Sequence, residues 1–350
     1  MESNKLLERV VELDASDLHI TAGAPPTYRV NGRLVTEGTA LTSAETEAFV
    51  RQILTESQWQ EFCHRGELDL PLSTRMSRFR INAYHQRGAC AAALRSITPG
   101  IRSLGELGLP AMLAELSLLP RGLVLVTGPT GSGKSTTLAA MIDIVNERRD
   151  CHIMTLEDPI EYLHRHKRSI VNQREIGSDT ESYATGLRSV LRQDPDVILI
   201  GEMRDLDSIA IALTAAETGH LVFSTLHTIG AAQTIDRIID VFPPYQQAQV
   251  RVQLSTVLQG VISQQLLPDA GGHGRVPALE IMLASPAIRN LIREGKTPQI
   301  NNAIQTSGAS GMITMDMALV RLYRAGRITW DACMGYCVDP ENLRRLVNMS

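Results

Sequence analysis

The sequence of 350 residues has little cysteine, few aromatic residues and no long apolar run. Its five cysteines include no CxxC pair, which is typical of reduced thiols rather than of a disulfide framework. Aromatic residues make up only 4% of the chain, which leaves little material for stacking nucleic-acid bases. The first residues include acids, and no window approaches about 18 uninterrupted apolar residues. We therefore expect no signal peptide and no membrane-spanning helix, and we expect the protein in the cytoplasm.

The residues that are present indicate a folded protein of two or three domains. Hydrophobic residues make up 43% of the chain, and domains average about 150 residues. The net charge of −4 argues against a surface that binds nucleic acid throughout. Residues 70–105, however, contain six arginines and no acidic residue, so this segment is strongly basic. Three interpretations of this basic segment stay open: a nucleic-acid surface, a solvated face of a sheet, or arginine fingers that reach a phosphate in trans. Its six arginines are Arg75, Arg78, Arg80, Arg87, Arg95 and Arg102.

Residues 1–99 have the pattern of a mixed α and β domain. Helical spacing of apolar residues predicts helices near residues 6–13 and 43–63, and Asn31-Gly32 is a turn signal. A segment rich in proline and glycine runs from Pro99 to Pro120 and predicts an inter-domain linker at 100–120, with one short helix at Ala111–Leu116. Short β-like runs occur at Leu18–Ile20, Tyr28–Val30, Phe79–Tyr84 and Ala91–Ile97.

From Arg121 onward, fully apolar strands alternate with helices, which is the pattern of a buried parallel sheet in an α/β domain over 121–350. After about residue 245 the pattern predicts a helical subregion with one further strand at Val276–Ile281. The predicted strands of the parallel sheet are Leu123–Thr127, His152–Leu156, Val197–Ile200 and Leu221–Ser224. The predicted late helices are Gln246–Leu267, Pro286–Glu294, Pro298–Thr306, Thr314–Ala325 and Pro340–Val347.

One segment fits the phosphate-binding pattern G-x-x-x-x-G-K-[ST]: Gly128-Pro129-Thr130-Gly131-Ser132-Gly133-Lys134-Ser135. It follows a predicted strand and opens a predicted helix, which is the context that the motif requires. Its glycines would let backbone N–H groups surround phosphates, Lys134 would bind phosphate oxygens, and the Ser135 hydroxyl would ligate Mg²⁺. Thr136 is the last of the residues predicted to contact the bound nucleotide. The sequence therefore predicts a nucleotide bound with Mg²⁺.

The ends of the predicted strands give a second argument for an enzyme. Open α/β sheets bind ligands at the carboxyl ends of their strands. Those ends carry Gly128, Glu157-Asp158, Gly201-Glu202 and Thr225-Leu226-His227, so polar groups follow all four strands. Val197–Glu202 resembles a Walker B strand in which glycine replaces the more usual aspartate. Glu202 would contact Mg²⁺ through water or polarise the attacking water.

Further candidates lie at the same edge of the sheet. The segment from Glu157 to Glu161 offers three carboxylates, any of which could orient water towards a γ-phosphate or simply favour a helix start. The residues themselves do not choose between Glu157 and Glu161. His227 could sense the γ-phosphate, whereas His220 is predicted at the opposite end of its strand.

Together these residues resemble the type IV pilus retraction ATPases, the PilT-like twitching-motility branch of the type II/IV secretion ATPase superfamily. The resemblance covers nearly the whole chain. It includes an N-terminal signature (Ala15-Ser16-Asp17-Leu18-His19), an Asp box (Glu157–Glu161), a Walker B (Val197–Glu202), a His box (Gly219–His227) and the retraction-linked motif AIRNLIRE (Ala287–Glu294).

The resemblance implies an architecture and a set of roles. It implies a homohexamer in which each subunit joins a PAS-like α+β N-terminal domain flexibly to a RecA-like P-loop ATPase domain with a helical C-terminal portion. ATP would bind between the domains. Glu161 would be the catalytic glutamate, and Glu202 would act at Mg²⁺ and water. Arg80 and Arg95 of an N-terminal domain would approach the nucleotide.

The resemblance also implies partners: an inner-membrane pilus platform protein, a paralogous retraction ATPase and no nucleic acid, with the motor peripheral at the inner face of the cytoplasmic membrane. Relatives that drive pilus extension or type II secretion usually carry a tetracysteine zinc module in the C-terminal half. Here the corresponding stretch is the short turn Pro268–Gly274, which lacks cysteine and favours retraction. An extension or type II secretion motor stays the alternative, and a RecA-like nucleic-acid motor using residues 75–102 is the alternative from another class.

Overall fold

The computed structural model describes residues 3–30, 32–74, 77–97, 100–272 and 274–348. The chain divides into two compact units, the first comprising Met1–Gly100 with Glu161–Leu163 and the second Ile101–Ile160 with His164–Ser350. Asn31 of the predicted turn, Arg75 of the basic segment, Pro99 at the predicted linker and His273 lie outside the described residues. The domain limits at 99 and 120 stay predictions.

The first unit contains an antiparallel sheet of six strands in the order β3-β2-β1-β6-β5-β4. Its core includes buried aromatic side chains of Tyr28, Phe49, Phe62 and Phe79. The α+β pattern predicted for this region is confirmed. The elements are α1 (Ser3–Glu12), β1 (Asp17–Ile20), β2 (Thr27–Val30), β3 (Arg33–Thr36), α2 (Ser43–Ile53), α3 (Glu56–Arg65), β4 (Glu67–Ser73), β5 (Arg78–Gln86) and β6 (Ala89–Ile97).

The helix predicted over 43–63 is two helices, because a second start signal interrupts it. Thr55 caps α3 through a capping box with Gln58, and Thr42 caps α2 in the same way with Glu45. The strand β3 was not predicted from the sequence. All four of its residues are exposed at the edge of the sheet, so no buried face marks it in the sequence.

The second unit contains a sheet of seven strands in the order β13-β12-β7-β11-β10-β8-β9, parallel except for the antiparallel pair β12 and β13. The predicted strands of the parallel sheet are confirmed, and β9 is an addition. The strands are β7 (Gly122–Thr127), β8 (His152–Glu157), β9 (Ile170–Glu175), β10 (Val197–Ile200), β11 (Leu221–Leu226), β12 (Leu258–Pro268) and β13 (Arg275–Leu283).

Helices cover both faces of this sheet. Leu123 and Leu125 of β7 face one apolar cluster and Val124 and Val126 face the other, so the strand is buried on both sides. The helices are α4 (Met112–Ser117), α5 (Lys134–Arg148), α6 (Tyr183–Val190), α7 (Leu206–Glu217), α8 (Ala231–Asp240), α9 (Pro244–Val257), α10 (Pro286–Arg293), α11 (Ile300–Thr306), α12 (Met315–Arg324), α13 (Trp330–Tyr336) and α14 (Pro340–Asn348), with 3₁₀ turns at Thr297–Gln299 and Gly308–Ser310.

The helix predicted over Gln246–Leu267 is wrong from Leu258 onward, where the chain forms β12. This strand lies between β7 and β13, and most of it is buried. Ser263, Gln264 and Gln265 are polar, and the sequence alone does not distinguish them from exposed residues of a helix. In the fold they are buried and hydrogen-bonded to distant segments, which no local pattern reveals.

The predicted short helix at Ala111–Leu116 corresponds to α4. Leu104, Leu109, Leu113 and Leu116 are buried in the apolar cluster that also contains Met141 of α5. Within the described residues, none of the helices is both long enough and apolar enough to cross a membrane.

Candidate functional site

The glycine-rich loop joins the end of β7 to the start of α5. Gly128, Gly131 and Gly133 have φ angles of 139°, 78° and 88°, a region that side chains rarely allow. The Lys134 ammonium donates hydrogen bonds to the carbonyl oxygens of Gly128 at 2.9 Å and Pro129 at 3.1 Å. The loop thus curls back around the lysine at the N-terminus of α5, where the helix carries partial positive charge.

The ends of four parallel strands meet at one edge of the sheet. The Gly128 N–H donates to the carbonyl of Leu226, and the Gly201 N–H donates to that of Leu156 at 2.7 Å. The candidates at positions 128–136, 157, 202 and 227 therefore share this edge. His220 lies at the other end of β11, where its Nδ1 contacts the Ala215 carbonyl oxygen at 2.9 Å.

Glu202 is the most buried of the candidate carboxylates at this edge, with a relative exposure of 8%. Its Oε2 lies 3.3 Å from His227 Nε2, and its Oε1 pairs with Arg204 Nε at 2.5 Å. The hydrogen bond and charge of Glu202 raise the pKa of Arg204 above its ordinary value. The Walker B and His box segments, which the sequence predicted only at the same edge of the sheet, are thus in direct contact, whereas Arg204 was not predicted as a site residue.

Steric crowding explains why the Walker B segment has glycine at position 201. A Cβ atom at Gly201 would lie 2.9 Å from the Tyr183 hydroxyl and 3.2 Å from the Leu156 carbonyl oxygen. A side chain at this position would therefore displace the Tyr183 hydroxyl and crowd the carbonyl of Leu156. Glu202 is the carboxylate that the strand end supplies.

Negative charge accumulates around the Tyr183 hydroxyl. Burial raises the pKa of Tyr183, and the carboxylates of Glu202, Asp158 and Glu157 raise it further. Glu157 is held in place because its Oε1 accepts hydrogen bonds from Thr155 Oγ1 at 2.6 Å and from Gln173 Nε2 at 3.1 Å. Such an arrangement can attract a cation and orient water.

The remaining candidates belong to the first unit. Glu161 is exposed in the short segment Glu161–Leu163. Arg80 on β5 and Arg95 on β6 are exposed and lie directly opposite each other in the antiparallel register. Like charges in such a position repel each other. Asp17 offsets part of this repulsion because its Oδ1 accepts a hydrogen bond from Arg95 Nε at 3.0 Å.

The loop fits a phosphate group. A Cβ at Gly128 would lie 2.8 Å from Ser132 Oγ and 2.1 Å from the Gln264 carbonyl oxygen, so the loop needs glycine to close. The buried hydroxyls of Thr127 and Ser132 have no hydrogen-bond partner among the described residues. Ser135, the predicted Mg²⁺ ligand, lies half-buried in the first turn of α5. In the described part of the chain, no group of three or more His, Cys, Asp and Glu side chains is arranged as a metal site.

Comparison with known proteins agrees with this geometry. The family model for type II/IV secretion system proteins matches residues 2–317. The chain belongs to this family. It is 49% identical to the type IV pilus retraction ATPase PilT of Pseudomonas aeruginosa over 98% of this chain and 100% of that protein. It is 42% identical to the type IV pilus ATPase PilU of the same organism, over 100% of this chain and 92% of PilU.

Solved structures give the same result. A crystal structure of the pilus retraction motor PilT with bound ADP superimposes with a TM-score of 0.93 at 49% identity, covering 99% of each chain. The resemblance predicted from the motifs is confirmed, and so is the fold class of an N-terminal domain followed by a RecA-like ATPase domain. The chain is a PilT-like ATPase of the type II/IV secretion family.

The AIRNLIRE segment of this family member forms α10. Ile288 and Ile292 are buried in the core, and half-buried Arg289 reaches the C-terminal end of α9. Its Nη1 donates to the carbonyls of Ser255 and Thr256, both at 2.7 Å, and its Nη2 donates to Gln259 Oε1 at 3.2 Å. A cation at a helix C-terminus satisfies carbonyls that have no partner within the helix.

We expect Arg289→Ala to lower the free energy of unfolding of the second unit by about 2 kcal/mol, because it removes charge-assisted hydrogen bonds to half-buried carbonyls. Arg289→Lys, which keeps the charge but not the fork of donors, should lose about half as much. Urea denaturation followed by circular dichroism measures the change. Arg293→Ala, on the exposed face of α10, is the control and should change stability by under about 0.5 kcal/mol. Equal losses for Arg289→Ala and Arg293→Ala would contradict this account.

Proposed function

We propose that the chain works as a homohexameric, Mg²⁺-dependent ATPase that powers the retraction of type IV pili and hence twitching motility. The observation that carries this proposal is the near-full-length likeness to the retraction motor PilT, which extends through the P-loop edge to the AIRNLIRE helix. The connection from β12 to β13 is short and contains no cysteine, as expected for a retraction motor.

In this proposal the residues at the sheet edge divide the work of ATP hydrolysis. The backbone N–H groups of the loop and Thr136 bind the phosphates, and Lys134 exchanges its carbonyl contacts for phosphate oxygens. Ser135 and Glu202 hold Mg²⁺, which when bound would neutralise charge on the transferred phosphoryl group. Glu202 also polarises the attacking water, and its contact with His227 fixes the direction of its carboxylate.

The same proposal gives the family's catalytic role to Glu161, with Glu157 as the second candidate. Glu157 already accepts hydrogen bonds from two donors, Thr155 and Gln173, which fix the orientation of its carboxylate. This arrangement favours an orienting role for Glu157 and leaves the exposed Glu161 for proton transfer.

Arg80 and Arg95 supply positive charge to a nucleotide phosphate of an adjacent subunit. The support is their cross-strand pairing on an exposed surface, because two arginines placed side by side repel each other unless an anion comes between them. Asp17 holds Arg95 until a phosphate competes for it. An arginine of this kind stabilises the charge of the transition state.

The proposed partners follow from the same family. The ring would act on an inner-membrane pilus platform protein from the cytoplasmic side, as a peripheral and not an inserted protein. A paralogous motor of the PilU type would be a further partner. No nucleic acid takes part.

Deletion of the gene should leave pili on the cell surface, at least as many as in the parent strain, and abolish twitching. The reason is that retraction stops while extension continues. Electron microscopy counts the pili and a subsurface agar assay measures twitching, with complementation by the wild-type gene as the control. Cells without pili would instead identify an extension motor, and normal pili with normal twitching would contradict any role as the principal motor.

A further inference from the structure

The side chain of Gln264, in the middle of β12, is buried against the phosphate-binding loop with a relative exposure of 3%. Its Nε2 donates a hydrogen bond to the Ser132 carbonyl oxygen at 2.7 Å. Its Oε1 accepts a hydrogen bond from Thr137 Oγ1, also at 2.7 Å. One amide therefore connects the loop to the first turns of α5, and both of its polar ends are satisfied.

Two loop glycines are explained by the same residue. A Cβ at Gly128 would lie 2.1 Å from the Gln264 carbonyl oxygen, and a Cβ at Gly133 would lie 2.8 Å from Gln264 Nε2. The backbone and side chain of Gln264 thus form the surface on which the loop rests. Glycine is required at both positions because the loop approaches this surface so closely.

The contact with Ser132 sets the direction of a peptide group. A trans peptide is planar, and its carbonyl and N–H point in opposite directions. Because the Ser132 carbonyl is directed at Gln264, the Gly133 N–H is directed to the opposite side of the loop, away from β12. This N–H is one of the donors at the start of α5 that have no partner within the helix. A bound phosphate takes donors of this kind.

We propose that Gln264 is a positioning residue for nucleotide binding: it orients the Ser132–Gly133 peptide so that the Gly133 N–H is available to phosphate. This inference rests on the proposed nucleotide site but not on pilus retraction. Gln264 itself does not contact the nucleotide. It restricts the conformation of the loop before the nucleotide binds. The loop therefore loses less conformational entropy on binding.

The chain offers a matched control in the next residue. Gln265 is also buried on β12, and its side chain points to the opposite face of the sheet, as successive residues of a strand do. Its Nε2 donates to the Tyr336 carbonyl oxygen at 3.3 Å at the end of α13. Gln264→Met and Gln265→Met therefore remove the same amide from the same strand, but only the first removes a contact with the loop.

The test measures the dissociation constant of ADP for the full-length protein by isothermal titration calorimetry, together with the melting temperature without nucleotide. We expect Gln264→Met to weaken ADP binding by about 10- to 100-fold and Gln265→Met by less than about 2-fold, while both lower the melting temperature. Thr137→Val conserves volume and removes only the hydroxyl that donates to Gln264, so it should weaken ADP binding by about 3- to 10-fold. This variant tests the proposal if Gln264→Met does not fold.

ADP affinities of Gln264→Met and Thr137→Val within about 2-fold of wild type would overturn the positioning role and leave the proposed function intact. Equal weakening by Gln264→Met and Gln265→Met would also overturn it, because the effect would then be one of general stability. A wild-type protein that binds no ADP would instead contradict the proposed function, and the positioning role with it.

Discussion

Lys134→Ala protein should hydrolyse ATP at least about 100-fold more slowly than wild type. Lys134 lies at the start of α5, inside the loop, and donates two short hydrogen bonds to loop carbonyls that a phosphate would replace. Each charge-assisted hydrogen bond contributes about 1.5–3 kcal/mol, so the loss of two corresponds to about 10²–10⁴-fold. A phosphate-release assay on the purified full-length protein measures the rate.

Lys5→Ala is the matched control for this variant, because Lys5 is an exposed lysine on α1. Its rate should stay within about 2-fold of wild type. Circular dichroism spectra of both variants exclude misfolding. If Lys134→Ala keeps more than half of the wild-type rate, the loop is not the hydrolysis site and the account fails.

Glu202→Gln should lower kcat by about 10²–10⁴-fold and leave the dissociation constant of ADP, measured without Mg²⁺, nearly unchanged. The substitution keeps the volume and one hydrogen-bond acceptor, but it removes the charge that pairs with Arg204 and alters the group that contacts His227. Steady-state kinetics and calorimetry on the same preparation separate turnover from binding.

Glu217→Gln, at the C-terminal end of α7, is the control for Glu202→Gln and should be neutral. The parallel variants Glu161→Gln and Glu157→Gln rank the other carboxylates, and we expect the larger loss of kcat for Glu161. A kcat of Glu202→Gln within about 3-fold of wild type would show that the carboxylate at the end of β10 takes no part in turnover.

The sequence was sufficient to predict the four central strands of the sheet and its polar edge. β7, β8, β10 and β11 are short apolar runs, because each strand is covered on both faces, and this burial is visible residue by residue. The P-loop was equally clear, since its glycines and lysine follow one such strand directly.

Other parts of the structure depend on partners far along the chain. Gln264 carries polar atoms into a central strand because the loop and Thr137 satisfy them, and a local pattern cannot distinguish such a glutamine from an exposed helical one. Gly201 departs from the Walker B pattern because the Tyr183 hydroxyl fills the space beside it. The choice between Glu157 and Glu161 was not available from their spacing, because Glu157 ends β8 and Glu161 follows it within a few residues.

The central claim is that ATP hydrolysis by this chain drives pilus retraction, and live imaging of single labelled pili tests it most directly. Cells whose chromosomal gene carries Glu202→Gln should extend pili at the wild-type rate and show almost no retraction events, with the variant protein present at normal abundance. Retraction at wild-type frequency and speed in those cells would contradict the account.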